Sequence, residues 1–226
     1  VIINLGMLGI FKYTDFFIGV INSAGFIHLR ETGIALPIGI SFFTFQTMSY
    51  SIDVYRGNIK AEKNFLDFMT YVSMFPQLIA GPIVRFSTVG AQLKKRDIDL
   101  DGFIGGGAKF LMGLFKKVLI ANQMGMLWET IKSAENISMT NAWLGAFVFS
   151  LQLYFDFSGY GDMAVGLGKM LGFDYEENFN YPYISKSITE FWRRWHITLS
   201  VWFRDYVYIP LGGNRKGIAR DRKSTR

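Results

Sequence analysis

The chain reads as an all-α polytopic membrane protein, a bundle of transmembrane helices with broken or re-entrant segments between them. Three observations predict this class. Half of the 226 residues are hydrophobic and 17% aromatic, while only 19% are charged, below the roughly 25% of a soluble domain. The mean hydropathy is positive, at +0.21. Two stretches, 33–52 and 136–155, carry no charged side chain, and about twenty such residues cross a hydrocarbon core as a helix.

Residues 1–11 have the composition of the tail of a span, and the sequence is expected to be a fragment of one membrane domain over 1–226. Residues 68–84 are also free of charge but contain Pro76 and the pair Gly81-Pro82. Proline cannot continue a helix, so this segment is expected to break or re-enter. Gln77 inside it either sits at a simple kink or faces a polar cavity. A short polar loop covers 57–64, and a charged connector follows from Gln92 to Gly102. Gly105-Gly106-Gly107 then opens an apolar stretch. No Gly-Lys-Ser/Thr follows these glycines, so close helix packing explains them better than phosphate binding. Lys116 and Lys117, deep in that stretch, either snorkel to the interface or line a polar passage.

The net charge is +6 and the chain has no cysteine, so disulfides, thiol nucleophiles and thiolate metal sites are excluded. The cations cluster at the edges of apolar segments: Lys94-Lys95-Arg96, Lys116-Lys117 and 215–226. That is the pattern of cytoplasmic loops and of contacts to anionic lipid, not of a nucleic-acid surface. The two histidines lie far apart with no second ligand at metal spacing, so no metal site is expected. His28 reads as a loop residue near an interface. Asn136-Ile-Ser138 has the form of a glycosylation sequon, a weak pattern.

Asp156 and Asp162 follow the second uncharged stretch, in Asp156-Phe-Ser158-Gly159-Tyr160-Gly161-Asp162. Carboxylates at membrane depth either serve function or pair with a cation, Arg193 or Arg194 being candidates. The most informative run is 178–215. Ser187 and Glu190 stand at capping-box spacing, and Pro210 with Gly212-Gly213 marks a stop, which predicts one helix over roughly 187–208. On it Trp192, Trp195, Leu199, Trp202 and Phe203 would share a face. His196 would sit at the edge of that face beside Ser200, with Arg193 and Arg204 together on the neighbouring side. An imidazole between an apolar wall and a cationic strip suits proton transfer near neutral pH.

This run resembles the membrane-bound O-acyltransferase family, in its alginate O-acetyltransferase-like branch. Asp53-Val-Tyr-Arg-Gly57, 75–85, Gly113-Leu-Phe-Lys116-Lys117 and 156–164 extend the resemblance in the family's order. It implies a tunnel among broken helices in a multi-pass inner-membrane protein. It also implies acetyl transfer from a cytosolic donor, acetyl-CoA, to an exported polysaccharide, with periplasmic O-acetylation proteins as partners and no bound cofactor. His196 matches the upstream of the family's two key polar positions. The downstream histidine, in a Trp-His-Gly-type segment, is not in this sequence, so this polypeptide alone is expected to be inactive. Gln77, Asp156, Ser158, Asn178, Trp192, Arg193, Trp195, Ser200 and Arg204 are the candidates for contacts to substrate or tunnel. Two alternatives stay open: the relative that D-alanylates teichoic acid from a carrier-protein thioester, and a transporter or channel using Lys116, Lys117 and Asp156 as a polar path.

Overall fold

A computed structural model describes residues 1–25, 27–78, 81–134 and 138–213. Every regular element among them is helical. The sequon at Asn136, the basic tail 215–226 and Asn214 lie outside the described residues, as do positions 79 and 80 of the 75–85 block. Helices α1 (Ile2–Leu8) and α2 (Thr14–Ser23) run on through a π-turn at Gly9–Tyr13. Together, as Ile2–Ser23, they form the one candidate among the described residues that is long and apolar enough to cross a membrane.

The first uncharged stretch is helical only from Ile40. Helix α3 (Ile40–Tyr55) begins after Gly39, whose φ of +75° lets the chain turn. A side chain there would also meet the carbonyl of Leu78 at 2.2 Å, so glycine is required on both counts. Helix α4 (Phe65–Ser73) is capped by Asn64, whose side chain accepts from the Leu66 N–H. The expected break follows. Met74 is extended, α5 (Phe75–Leu78) is a single turn, and α6 (Phe86–Lys94) starts only after the extended Arg85.

The largest packing unit is a pair of long antiparallel rods. One is α7 (Leu100–Phe115) continued through a π-helical turn, Lys116–Ala121, into α8 (Asn122–Lys132). The other is α9 (Met139–Met170). Glycines set their closest approach. A Cβ on Gly106 would lie 2.6 Å from the carbonyl of Gly166, and one on Gly113 would lie 2.5 Å from that of Gly159. The glycine run thus serves helix contact, as the sequence suggests, through Gly106 rather than Gly107, which faces open space.

Charges close the same seam. Lys117 pairs with Asp156, Lys116 with Asp162, and Lys109 with both Asp162 and Glu177. Asp156 is therefore held by a lysine, not by Arg193 or Arg194; Arg194 pairs with Glu190 instead. Lys116 and Lys117 are both engaged in these ion pairs across the seam.

The helix expected over 187–208 is broken. It divides into α10 (Ile188–Arg194), α11 (Ile197–Phe203) and a π-turn, Arg204–Tyr208. The N-terminal cap is as read: Ser187 accepts from the Glu190 N–H, and Glu190 reaches back to the Lys186 N–H. The break falls at His196, which adopts a left-handed φ of +43°.

Candidate functional site

Two backbone hydrogen bonds account for the break. The Arg194 carbonyl accepts from the Asn180 N–H, and the Ile197 N–H donates to the Asn178 carbonyl, each at 2.9 Å. Groups that would continue the helix are spent on the segment before it. The left-handed turn at a non-glycine residue costs on the order of 1–3 kcal/mol, and such outliers concentrate at functional sites. Tyr181, at φ +44°, is the other one in the described chain.

His196 caps α11 and is 8% exposed. The Phe157 ring meets it edge-on, with centroids 4.8 Å apart, and Phe179 lies parallel to it at 6.4 Å. Its Nδ1 stands 3.1 Å from Oδ1 of Asn178, itself 2% exposed. That oxygen also accepts from the Thr198 N–H at 3.3 Å and the Thr198 hydroxyl at 3.0 Å. The Thr198 hydroxyl in turn accepts from the Ile83 N–H at 3.0 Å. Each direction follows from the one before. A backbone N–H can only donate, so Thr198 Oγ1 accepts from Ile83 and turns its own proton to Asn178. The Asn178 atom facing Thr198 N is thus the amide oxygen. It cannot donate, so His196 Nδ1 carries the proton and Nε2 of the neutral ring keeps the lone pair. Burial favours that neutral form, pushing the imidazole down to about 4.

The break also parts the tryptophans. Trp195 stacks on Phe191 at 5.5 Å and meets Phe179 edge-on at 5.2 Å. Trp202 is buried at Phe45 and Tyr206, and its indole N–H donates to the Phe45 carbonyl. Trp192 is 54% exposed and touches Phe191. The single aromatic face expected of a continuous helix is therefore two faces. Arg193 and Arg204 likewise stand on separate helical segments, not side by side. Ser200 remains near: its N–H donates to the His196 carbonyl at 3.1 Å.

Of the other candidates, Ser158 is buried on α9 next to Phe157. Gln77 is fully buried and donates to the Tyr71 carbonyl, while its own Oε1 has no hydrogen-bond partner among the described residues. No hydrogen bond among the described residues joins Gln77, or the ion-paired Asp156, to His196. Tyr183 donates to the Ser150 carbonyl and packs on Tyr154.

Thr198 was not among the sequence candidates. A threonine two positions after a histidine in an apolar run carries no signal of its own. What gives it a role is the extended Gly81–Arg85 segment, whose Ile83 N–H has no helical partner. Pro82, Ile83, Arg85, Glu176 and Thr198 line a closely packed crease beside this contact, too narrow to admit a water molecule. Among the described residues, no group of acidic or histidine side chains could hold a metal ion.

An all-helical chain with broken segments meeting around a buried histidine fits one class by sequence as well. The model of the membrane-bound O-acyltransferase family matches residues 56–225, and the chain belongs to that family. It is similar to the probable alginate O-acetylase AlgI of Pseudomonas syringae pv. tomato, 51% identical over 96% of this chain and 43% of that protein. It is also similar to the peptidoglycan O-acetyltransferase of Helicobacter pylori, 42% identical over 95% of this chain and 46% of that protein. The teichoic acid D-alanyltransferase of Bacillus subtilis is 31% identical over 76% of this chain and 45% of its own. The chain thus spans less than half the length of these curated relatives.

Proposed function

We propose that the protein is a membrane-bound O-acyltransferase moving acetyl groups from a cytosolic thioester, acetyl-CoA, toward an exported polysaccharide. Residues 1–226 form part of a single multi-pass domain in the inner membrane. The similarity to the alginate and peptidoglycan O-acetyltransferases supports the acetyl and polysaccharide assignments. The multi-pass reading is supported by Ile2–Ser23 and by the two long rods. Their outward faces expose Leu111, Phe115, Trp143 and Phe147, while their charged residues pair across the seam, the arrangement that makes charge tolerable at membrane depth. The same pairing counts against transport, because Lys116, Lys117 and Asp156 are engaged with one another's helices.

The observation that carries the reading is the Asn178–His196 contact. In this mechanism His196 Nε2 takes the proton of an acceptor hydroxyl, and the oxygen attacks the thioester carbonyl. The tetrahedral intermediate then collapses and the thiolate leaves with the proton. Asn178 and Thr198 hold the imidazole in the tautomer this requires. Periplasmic O-acetylation proteins complete delivery to the polymer. Supplying membranes that carry the complete open reading frame with radiolabelled acetyl-CoA, or with a D-alanyl carrier-protein thioester, tests the assignment. Label reaching polysaccharide from acetyl-CoA alone supports it. Transfer only from the D-alanyl carrier assigns the chain to the teichoic-acid chemistry, and transfer from neither removes the acyltransferase reading.

A further inference from the structure

Between α8 and α9, at the end of the rods far from the basic connector, Trp128, Ile131, Lys132, Asn141, Ala142 and Gly145 line an open cavity of about 230 Å³. Its walls are apolar apart from Lys132 and Asn141, the two residues nearest the rod ends. Gly145 is buried there, and a Cβ on it would lie 3.1 Å from the Trp128 ring and 3.2 Å from Ile131. Trp128 is braced from behind by Phe149, with ring centroids 5.1 Å apart. The acyl-transfer reading makes no use of this space.

The length of the rods gives the cavity a depth. Helix α9 has 32 residues, about 48 Å at 1.5 Å per residue. A hydrocarbon core is about 30 Å thick, so a centred rod projects roughly 9 Å into the headgroup layer at each end. Lys132 and Asn141 then lie among headgroups, and Gly145 and Trp128 at the top of the acyl chains. Trp143, Leu144 and Phe147, all exposed, continue an apolar surface along the same helix, with the tryptophans at the level of an aromatic belt. At the opposite end Arg96 packs beside Gly172, just past α9. By the positive-inside reading that end is cytosolic, so the cavity belongs to the periplasmic leaflet.

The charges at the rim select a headgroup. Lys132 faces Glu129 across a loose 3.8 Å, and both side chains are more than half exposed. Two separated charges of opposite sign beside an apolar cavity match a zwitterion, with phosphate oxygens for Lys132 and a protonated amine for Glu129. The space suits a single acyl chain. An α-helix of a partner protein, about 10 Å across with its side chains, is too thick to enter it.

We propose that the α8–α9 cavity is a binding site for a phosphatidylethanolamine of the periplasmic leaflet. One acyl chain lies against Trp128, Ala142 and Gly145, the phosphate at Lys132 and the ammonium group at Glu129. The inference rests on the multi-pass reading above and not on the acyl-transfer chemistry.

Photolabelling of the complete protein tests it. Phosphatidylglycerol nanodiscs carry a trace of phosphatidylethanolamine with a photoreactive group in its acyl chain, and the labelled positions are mapped by mass spectrometry. Label is expected at Trp128, Ile131 and Ala142, and replacing part of the phosphatidylglycerol by unlabelled phosphatidylethanolamine should suppress it there while leaving label on Leu111 and Phe147 unchanged. Ala142→Trp, at an exposed position, fills the cavity and should abolish the suppressible label. Lys132→Gln and Glu129→Gln should each weaken it about fivefold, the effect of one charge at a headgroup. Thermal unfolding identifies loss of fold, and the two rim variants carry the test if Ala142→Trp does not fold. Label in the cavity that Ala142→Trp removes but phosphatidylethanolamine does not suppress overturns the headgroup assignment. Label on Leu111 and Phe147 with none in the cavity overturns the site alone. Absence of label from all of these positions overturns the membrane placement of the rods together with the site.

Discussion

Asn178 Oδ1 lies 3.1 Å from His196 Nδ1 and accepts two further hydrogen bonds from Thr198, so an amide oxygen fixes which nitrogen of the imidazole is protonated. The histidine's left-handed backbone and its side-chain tautomer are set by the same short segment, because the Asn178 carbonyl binds the Ile197 N–H.

Asn178→Ala is expected to slow transfer with little effect on donor affinity. The substitution leaves the Nδ1–H without its buried acceptor, a loss of about 1–3 kcal/mol. It also frees the ring to present the wrong nitrogen. Comparing kcat with KM checks this: a change confined to KM would contradict a positioning role.

Thr198→Val is expected to act in the same direction, and through a second route. It removes the hydroxyl that joins the Ile83 N–H to Asn178, leaving a buried backbone donor unpaired at a further cost of about 1–3 kcal/mol. Thr198→Ser should retain most of the activity. If Val and Ser variants behave alike, the hydroxyl is not part of the arrangement.

The rods make a sharp pair of predictions. Gly113→Ala would place a methyl 2.5 Å from the Gly159 carbonyl on the facing helix, and overpacking of this kind costs about 1–3 kcal/mol. Gly107→Ala meets nothing within 4 Å and should stabilise by up to ~1 kcal/mol through helix propensity. Thermal unfolding of the two variants in one detergent decides it, and equal effects would contradict the packing.

His196 lies between two seven-residue helices, each about 10 Å long and too short to cross a bilayer. Its folded-state pKa is pushed below the ordinary 6.5, to about 4, by burial. Below pH 6.5 the unfolded chain takes up a proton that the folded chain refuses, so the contribution of this group is full above 6.5 and is lost as pH falls toward 4. The stability of wild type relative to His196→Gln should therefore decline across that window. A difference that stays flat from pH 7 to 4 would refute the buried neutral imidazole.

Much of this architecture could be read from residue order. Ser187 with Glu190 announced the start of α10, Gly81-Pro82 the break before α6, and the glycines the contact of the rods, because each signal is local. The division of 187–208 was not readable. Trp195-His196-Ile197 contains no glycine or proline, and the break is imposed by hydrogen bonds from Asn178 and Asn180, many residues upstream. The partner of Asp156 was missed for a similar reason: Lys117 lies 39 positions away, and only the antiparallel register of the rods brings them together. His196 and Asn178 stood out through composition and family resemblance, whereas Thr198 acquires its place from the tertiary contact with Ile83.

The most direct measurement is the rate of acetyl transfer to polysaccharide by membranes carrying the complete open reading frame, wild type against His196→Ala, at matched expression. General-base catalysis contributes typically 10²–10⁴-fold, and a loss of about that size, with donor binding retained, is the result expected. Transfer at the wild-type rate in the His196→Ala protein would contradict the account and leave His196 a purely structural cap on α11.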